Sequence, residues 1–210
     1  MSKNKEILNF ILGNLTLKSS FEKKLAKTIY SELAKGKPVK QEILSSILDT
    51  PISEVVAILS LWNGIYRNSD NEIIGFWGLA IDYDSPHQIV VNEKVLNCWC
   101  FWDTLFIADL LKGKVTVTSE SPETKESIKI SVNDGEVVSS SHPNAVCSFI
   151  LPEENNKDVI SSFCHYVYFF SDRNEFKSWK EKSSMSESLF CLDFSEAFEL
   201  GSKFNRVSFE

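Results

Sequence analysis

Apolar residues recur at every fourth position in the first third of the chain, which is the spacing of one face of a helix. In residues 21–35 one such stripe is present, and Gly36 follows it where a helix would end. Its members are Phe21, Leu25, Ile29 and Leu33. Similar spacing predicts a shorter second helix over residues 40–48 and a third helix over residues 51–62 with a wide apolar face.

The third helix has clear start signals. Thr50 offers an N-cap hydroxyl, Pro51 suits the first helical position, and Glu54 lies near the positive end of the helix dipole. Residues 65–81 then break at a polar cluster between two apolar runs, which predicts a β-hairpin. Because three helices followed by a hairpin is the order of a winged helix-turn-helix, we expect a winged-helix-like domain over residues 1–80.

Beyond residue 80 the pattern changes to short runs rich in β-branched residues between Gly, Pro, Asn and Ser, which is typical of strands. Strands are predicted over residues 88–95, 114–118, 127–132, 136–138, 147–151 and 162–170. Helices are predicted over residues 102–111, 175–182 and 195–203. We therefore expect an α+β fold, with the three-helix winged-helix-like domain followed by a mostly β core with flanking helices at residues 81–210.

A winged-helix order raises the alternative of a DNA-binding regulator that senses metals through its thiols. A recognition helix needs Arg, Lys, Asn or Gln near its start and basic residues around it. The predicted third helix contains no Lys or Arg and carries Glu54 in its first turn. Residues 1–80 hold ten Lys and Arg against eight Asp and Glu, whereas residues 81–210 hold twelve against twenty-one. This charge pattern argues against nucleic acid as a partner.

The composition places the chain among globular proteins with a substantial core. It has 210 residues, of which 43% are hydrophobic. The first residues have mixed charge and only short apolar runs, unlike a signal peptide, and no apolar stretch is long enough to span a membrane. We therefore expect a cytoplasmic monomer without a membrane partner. Five cysteines at irregular spacing are expected to be thiols rather than a disulfide framework.

The densest chemistry lies in the segment CWCFWDTLF, which starts at residue 98. If a helix begins near Trp102, Cys100 lies at its N-terminal edge, where the helix dipole lowers the pKa of a thiol. Asp103, three residues later, would face the same side. The simpler interpretation is that Asp103 caps the helix and Cys100 is a small buried apolar residue.

A second thiol strengthens the chemical interpretation. In the predicted strand over residues 162–170, alternation puts Cys164 on one face and Phe163 and His165 on the other. If Cys164 met Cys100 and Asp103, two sulfurs and a carboxylate would form a site for a soft metal. Zinc fits poorly because it usually takes four ligands with paired spacings, so Cu(I) or Hg(II) is favoured.

The remaining cysteines and histidines receive structural interpretations. Cys98, Cys147 and Cys191 are expected to be buried or incidental thiols, and Cys98 is the one of the three expected to bind stray mercury most readily. His87 and His142 lie beside prolines in polar segments and are expected at the surface. On an alternating strand His165 would point away from Cys164, which argues against a Cys-His nucleophile pair.

Several segments together resemble the alkylmercury (organomercurial) lyases. They are GFWGLAI at residues 75–81, LNCWCFWDTLFIADLL at 96–111, SFCHYVYFF at 162–170 and EAFELGSKFNR at 196–206. The resemblance implies that Cys100, Asp103 and Cys164 are the catalytic residues. The chain departs from the family pattern in having Cys98 in place of a small residue, the bulky pair Phe101 and Trp102, and His165 after the strand cysteine.

The resemblance implies protonolysis of a carbon–mercury bond, giving a hydrocarbon and Hg(II) in mercury detoxification. Cys100 and Cys164 would bind mercury as thiolates, and Asp103 would relay a proton to the leaving carbon and help hold the Hg(II) product. No organic cofactor is expected. Low-molecular-weight thiols or a mercuric reductase would take the Hg(II). The expected walls of the substrate pocket are Trp99, Phe101, Trp102 and Phe163.

Overall fold

The computed structural model describes residues 3–15, 17–151 and 159–210. Its helices are α1 (Lys3–Asn14), α2 (Ser20–Leu33), α3 (Gln41–Leu48), α4 (Ile52–Leu59), α5 (Phe101–Leu111), α6 (Val159–Ser162), α7 (Arg173–Lys182) and α8 (Phe194–Phe209). Its strands are β1 (Ile65–Arg67), β2 (Ile73–Phe76), β3 (Leu79–Ala80), β4 (Gln88–Val91), β5 (Lys94–Cys98), β6 (Lys114–Glu120), β7 (Ser127–Asn133), β8 (Glu136–Ser140), β9 (Val146–Ile150), β10 (Phe169–Phe170) and β11 (Leu189–Asp193). A short 3-10 helix spans Cys164–Tyr166. The predicted α+β class is confirmed.

Helix α2 shows how the apolar stripe becomes structure. Ser19 accepts a hydrogen bond from the Glu22 N–H at 3.1 Å, and the Glu22 carboxylate accepts one from the Ser19 N–H at 3.0 Å, which starts the helix with a capping box. Three members of the predicted stripe, together with Tyr30, are fully buried. They are Leu25, Ile29 and Leu33. Helix α2 is therefore anchored in the core by the apolar face that the sequence pattern identifies.

The three predicted helices and the hairpin occur in the expected order, as α2, α3, α4 and the β1–β2 pair. Pro51 rather than Thr50 occupies the N-cap of α4, and the helix ends at Leu59, three residues before the predicted end. The hairpin is joined through β3 to β5, so it forms one edge of the main sheet. The winged-helix assignment and the division at residue 80 stay predictions. Helix α1 was not predicted.

The main sheet has eight antiparallel strands in the order β1-β2-β3-β5-β4-β6-β7-β8. Strands β6 and β7 alternate buried and outward residues, with Val115 and Val117 of β6 paired to Val132 and Ile130 of β7. The second sheet has the order β10-β9-β11, and all five residues of its central strand β9 are buried. Both sheets contribute to a single hydrophobic cluster.

Helix α5 is the central helix of the core, with nine of its eleven residues buried. It packs against α8, where Gly201 permits close approach: a Cβ at this position would lie 2.9 Å from the Phe106 Cβ. The Trp102 Nε1 donates to the Ala197 carbonyl at 3.0 Å, and Asn205 donates to the Phe106 carbonyl at 2.7 Å. These bonds fix α5, and therefore the residues at its start, against the C-terminal helix.

Two strand predictions were wrong. Residues 88–95 form the β4–β5 hairpin rather than one strand, since Asn92 and Glu93 both have positive φ, as a two-residue hairpin turn requires. Residues 162–170 form the end of α6, the 3-10 helix and the two-residue strand β10. No strand forms around Cys164 because this segment makes the turn hydrogen bonds of a 3-10 helix instead. In the described part of the chain, no helix is long and apolar enough to cross a membrane.

Candidate active site

Cys100 occupies the N-cap of α5, one residue before the first helical residue, as the sequence predicts. The Asp103 Oδ2 accepts a hydrogen bond from the Cys100 backbone N–H at 2.9 Å, so the carboxyl caps the helix in the manner of a capping box. This hydrogen bond holds the Asp103 carboxyl beside the Cys100 thiol. Asp103 therefore has the helix-capping role expected for it, and the same hydrogen bond places its carboxyl next to the Cys100 sulfur.

Cys164 reaches the same place from a segment about sixty residues further along the chain. Its 3-10 helix is formed by hydrogen bonds from the Tyr166 N–H to the Phe163 carbonyl at 2.9 Å and from the Val167 N–H to the Cys164 carbonyl at 3.1 Å. The Phe101 N–H donates to the Val167 carbonyl at 3.1 Å, which ties this segment to the start of α5. The local turn thus carries Cys164 to the helix that begins after Cys100.

The three predicted side chains converge. One ligand atom from each of Cys100, Asp103 and Cys164 lies within 4.8 Å of the other two, and all three residues are buried. The Cys164 Sγ lies 4.0 Å from the Asp103 Oδ2. Among the described residues this is the one group of three or more His, Cys, Asp or Glu side chains with such spacing. Two sulfurs and one carboxylate oxygen suit a soft metal ion.

Burial controls the protonation of this site. Asp103 is only 6% exposed, and desolvation raises its pKa to about 7, although hydrogen bonds from the Cys100 side chain and backbone act in the opposite direction. Burial also raises the pKa of the Cys100 thiol well above its ordinary value. This direction is opposite to the one that the helix N-terminus alone would give, because desolvation disfavours the charged thiolate. The Cys100 sulfur carries a proton in the unliganded protein at neutral pH.

An apolar cleft leads to the Asp103 carboxyl and the Cys164 thiol. Three of the predicted walls line it, namely Trp99, Trp102 and Phe163. The fourth, Phe101, is not among the residues that line the cleft in the described chain, and its ring packs against Phe169 and His87. Trp77, Gly78 and Ile11 also line the cleft. Sequence reasoning missed these three because they lie on elements distant in sequence.

The other thiols and histidines lie outside this group. Cys98 and Cys147 are buried and Cys191 is half-buried, in agreement with the structural role expected for them. His87 was wrongly expected at the surface: it is 2% exposed, its Nδ1 lies 2.6 Å from the Ser119 Oγ, and burial lowers its pKa to about 3. His165 is exposed, whereas Cys164 is buried.

The fold and the site define the chain as an α+β protein with a buried thiol-carboxyl-thiol group, the donor set of a protein that acts on a soft metal. Comparison with known proteins makes the class specific. The family described as "MerB: Alkylmercury lyase" matches residues 82–205. The chain therefore belongs to the alkylmercury lyase family, whose members are enzymes of carbon–mercury bond cleavage.

Individual relatives extend this match over most of the chain. The alkylmercury lyase of Staphylococcus epidermidis is 30% identical over 84% of this chain and 79% of its own length. That of Bacillus cereus is 28% identical over 84% of this chain and 78% of its own length. The fold is similar to the crystal structure of the mercury-bound form of MerB2, with a TM-score of 0.72, 23% identity and 98% of each chain covered.

Proposed function

We propose that this chain cleaves the carbon–mercury bond of organomercurials by protonolysis, with Cys100 and Cys164 as mercury ligands and Asp103 as the proton relay. The observation that carries the proposal is the convergence of the two sulfurs and the carboxyl within 4.8 Å in a buried place. Two sulfur donors satisfy mercury as its bond to carbon breaks, and a carboxylic acid beside them can supply the proton that carbon needs.

In the first step one thiol displaces the ligand X of an organomercurial R–Hg–X. The Cys100 sulfur bonds to mercury, and its proton leaves with X as HX. Because burial keeps the Cys100 thiol protonated, mercury binding is what ionises this sulfur. The organic group remains on mercury in this adduct. Its surroundings are the aromatic walls of the cleft, including Trp99, Trp102 and Phe163.

In the second step the Cys164 thiol passes its proton to the Asp103 carboxylate and its sulfur bonds to mercury. The 4.0 Å separation between the Cys164 Sγ and the Asp103 Oδ2 suits this transfer after a small movement. Two sulfurs increase the electron density on the carbon. Asp103 then donates the proton to that carbon, the Hg–C bond breaks, and RH leaves. Asp103 returns to its starting form, and Hg(II) remains on the two sulfurs near the carboxylate.

A pKa of about 7 suits both roles of Asp103. The group must be ionised to accept the thiol proton and then acidic enough to release it to carbon, and general acid–base catalysis works best near the operating pH. Since an Asp103 that is already protonated cannot accept the second thiol's proton, the rate of hydrocarbon release should rise with pH through about 7. The acid limb of the pH profile then reports this carboxyl.

The Hg(II) product is expected to leave by exchange with low-molecular-weight thiols or to a mercuric reductase, in a role in mercury resistance. No organic cofactor and no nucleic acid enters this scheme, which a cytoplasmic monomer would carry out. The alternative, a metal-sensing regulator that binds DNA through α4, has little support in its exposed residues, which include Ile52, Glu54 and Val56. A gel shift on random DNA with a steep salt dependence would favour the regulator.

The proposal is tested with phenylmercury and excess thiol, with benzene as the measured product. Asp103→Asn should still capture mercury while benzene release falls by about 10²–10⁴-fold, the usual contribution of a general acid. The matched control is Asp109→Asn, since Asp109 is another buried carboxyl of α5 that accepts a hydrogen bond from Asn205 at 2.7 Å. The control should release benzene at the parent rate. Release at the parent rate by Asp103→Asn would refute the relay.

A further inference from the structure

A two-residue turn, Trp77–Gly78, joins β2 to β3 and lies over the site. Both residues have positive φ, +31° for Trp77 and +89° for Gly78. Such hairpin turns strongly prefer Asn or Gly at the first position, and a bulky residue with positive φ is strained. Strain of this kind persists only where the surrounding structure imposes it, and it is concentrated at functional sites.

Three hydrogen bonds hold Trp77 in this conformation. Its backbone N–H donates to the Gly64 carbonyl at 3.1 Å, and its indole Nε1 donates to the Asn63 carbonyl at 3.0 Å. Its carbonyl accepts a hydrogen bond from the Tyr30 hydroxyl at 2.7 Å. Tyr30 lies on α2, is fully buried, and packs its ring against Phe76. The helix face that anchors α2 thus also anchors the turn.

The turn rests directly on the Asp103 carboxyl. A Cβ added to Gly78 would lie 2.7 Å from the Asp103 Cγ and 2.8 Å from its Oδ1. The Gly78 carbonyl accepts a hydrogen bond from the Trp99 N–H at 3.1 Å, which fixes the turn to the segment that carries Cys100. The Asp103 Oδ2 is held by the Cys100 N–H, so one oxygen is hydrogen-bonded and the other lies against the main chain of the turn.

Resting on the proton relay proposed above, we propose that the Trp77–Gly78 turn is a positioning element for Asp103, with Tyr30 as its anchor. The turn confines the carboxyl so that its Oδ2 faces the two sulfurs, and it excludes water from the side of Oδ1. Gly78 is required because only a residue without a Cβ lets the main chain come this close. Neither Gly78 nor Tyr30 takes part in the chemistry.

The first test compares Gly78→Ala with Gly113→Ala. Gly113 also has positive φ, +68°, but a Cβ there would meet nothing within 4 Å, so it reproduces the backbone strain without the contact. Gly78→Ala should bind Hg(II) at two thiols as the parent does, while single-turnover benzene release from phenylmercury falls by about 10²-fold, because the carboxyl is displaced. Gly113→Ala should match the parent in both measurements.

The second test is Tyr30→Phe, which keeps the buried ring and removes only the hydroxyl that holds the Trp77 carbonyl. Single-turnover benzene release should fall by about tenfold while Hg(II) binding at the two thiols stays as in the parent, because the turn no longer holds the carboxyl in place. Parent-like benzene release in both Gly78→Ala and Tyr30→Phe, with Asp103→Asn inactive, would overturn the inference and leave the relay intact. Parent-rate release by Asp103→Asn would instead overturn the relay, and this inference with it.

Discussion

Cys100 begins a helix of eleven residues that is buried along most of its length, whereas Cys164 lies in a 3-10 helix of three residues. The first thiol is fixed by the packing of α5 against α8 and by the hydrogen bond from Trp102 to Ala197. The second is fixed by local turns and by Ser148, whose Oγ donates to the Tyr166 carbonyl at 2.7 Å. One sulfur depends on the packing of a long helix, and the other on a short turn and its hydrogen bonds to neighbouring segments.

This difference indicates how a buried site can accept a substrate. A three-residue 3-10 helix is expected to open locally at lower free energy than an eleven-residue core helix. We therefore expect the Cys164 segment to move more readily than the start of α5 when mercury is admitted. The two halves are joined by the Phe101 N–H bond to the Val167 carbonyl and by the contact of the Trp102 and Phe163 rings. The following experiments test this difference between the two halves.

The largest effect is expected when either sulfur is removed. Cys100→Ala and Cys164→Ala should each reduce hydrocarbon release to the level of the uncatalysed reaction, because one sulfur cannot both retain mercury and activate the carbon. Cys147→Ala is the control, since Cys147 is buried but lies outside the site. Benzene release and the mass of the mercury adduct measure the outcome. Full turnover with Cys164→Ala would mean that a single sulfur suffices.

Truncation of Trp102 should destabilise the whole molecule, because Trp102 lies on α5, the more rigid of the two halves. Trp102 is 2% exposed and contacts the rings of Phe106, Phe149, Phe163 and Phe204. Trp102→Ala should lower the free energy of unfolding by about 3–5 kcal/mol. Urea denaturation is the measurement. Trp179→Ala, at a partly buried tryptophan, is the control and should cost less; an equal loss would contradict the view that α5 is the dominant support.

Acid should lower the free energy of unfolding through His87. Its ring contacts Phe101 and Tyr168, and its backbone carbonyl accepts a hydrogen bond from the Cys98 N–H. Its pKa is lowered to about 3 in the folded protein, so its stabilising contribution is complete above the unfolded value and is lost as pH falls from about 6.5 towards 3. Between pH 7 and 5 the parent should lose about 2 kcal/mol relative to His87→Gln.

Asp103 acts in the opposite direction, since its raised pKa favours the folded state as pH falls below about 7. The effect of His87 must therefore be measured as the difference between parent and His87→Gln, both of which keep Asp103. Urea denaturation at the two pH values provides this difference. A difference that does not change with pH would show that His87 is protonated to the same extent in the folded and unfolded chains.

The smallest expected effect is local to the Cys164 half. Ser148→Ala leaves the Tyr166 carbonyl and the Tyr168 N–H without their side-chain partner, which should cost about 1–2 kcal/mol. Hydrogen exchange should increase in the segment around Cys164 while the amides of α5 stay protected. Equal acceleration in both places would show that the two halves open together.

The same difference explains what the sequence could predict. The stripe of α2 and the start of α5 were predictable because their spacing and capping residues act locally. The segment around Cys164 was mistaken for a strand because its aromatic and β-branched residues resemble one, while its helical turns depend on partners such as Ser148 far along the chain. The identity of the three site residues followed from the family resemblance.

Their convergence, and the positions of Trp77 and Gly78 in the cleft, depend on contacts between distant segments. No pattern within a single window shows such contacts, since Gly78 meets Asp103 only through the pairing of β3 with β5. His87 was misplaced for a related reason: its polar neighbours in sequence indicated the surface, whereas the hydrogen bond to Ser119 across the sheet allows it to be buried.

One hydrogen bond, from the Cys100 N–H to the Asp103 carboxyl, serves both the folding of α5 and the acid of the site. A substitution at position 103 that cannot accept this bond should therefore reduce the yield of folded protein as well as its turnover. Surveys of variants that score survival in the presence of organomercurials would merge the two losses, and only turnover measured per folded molecule would separate them.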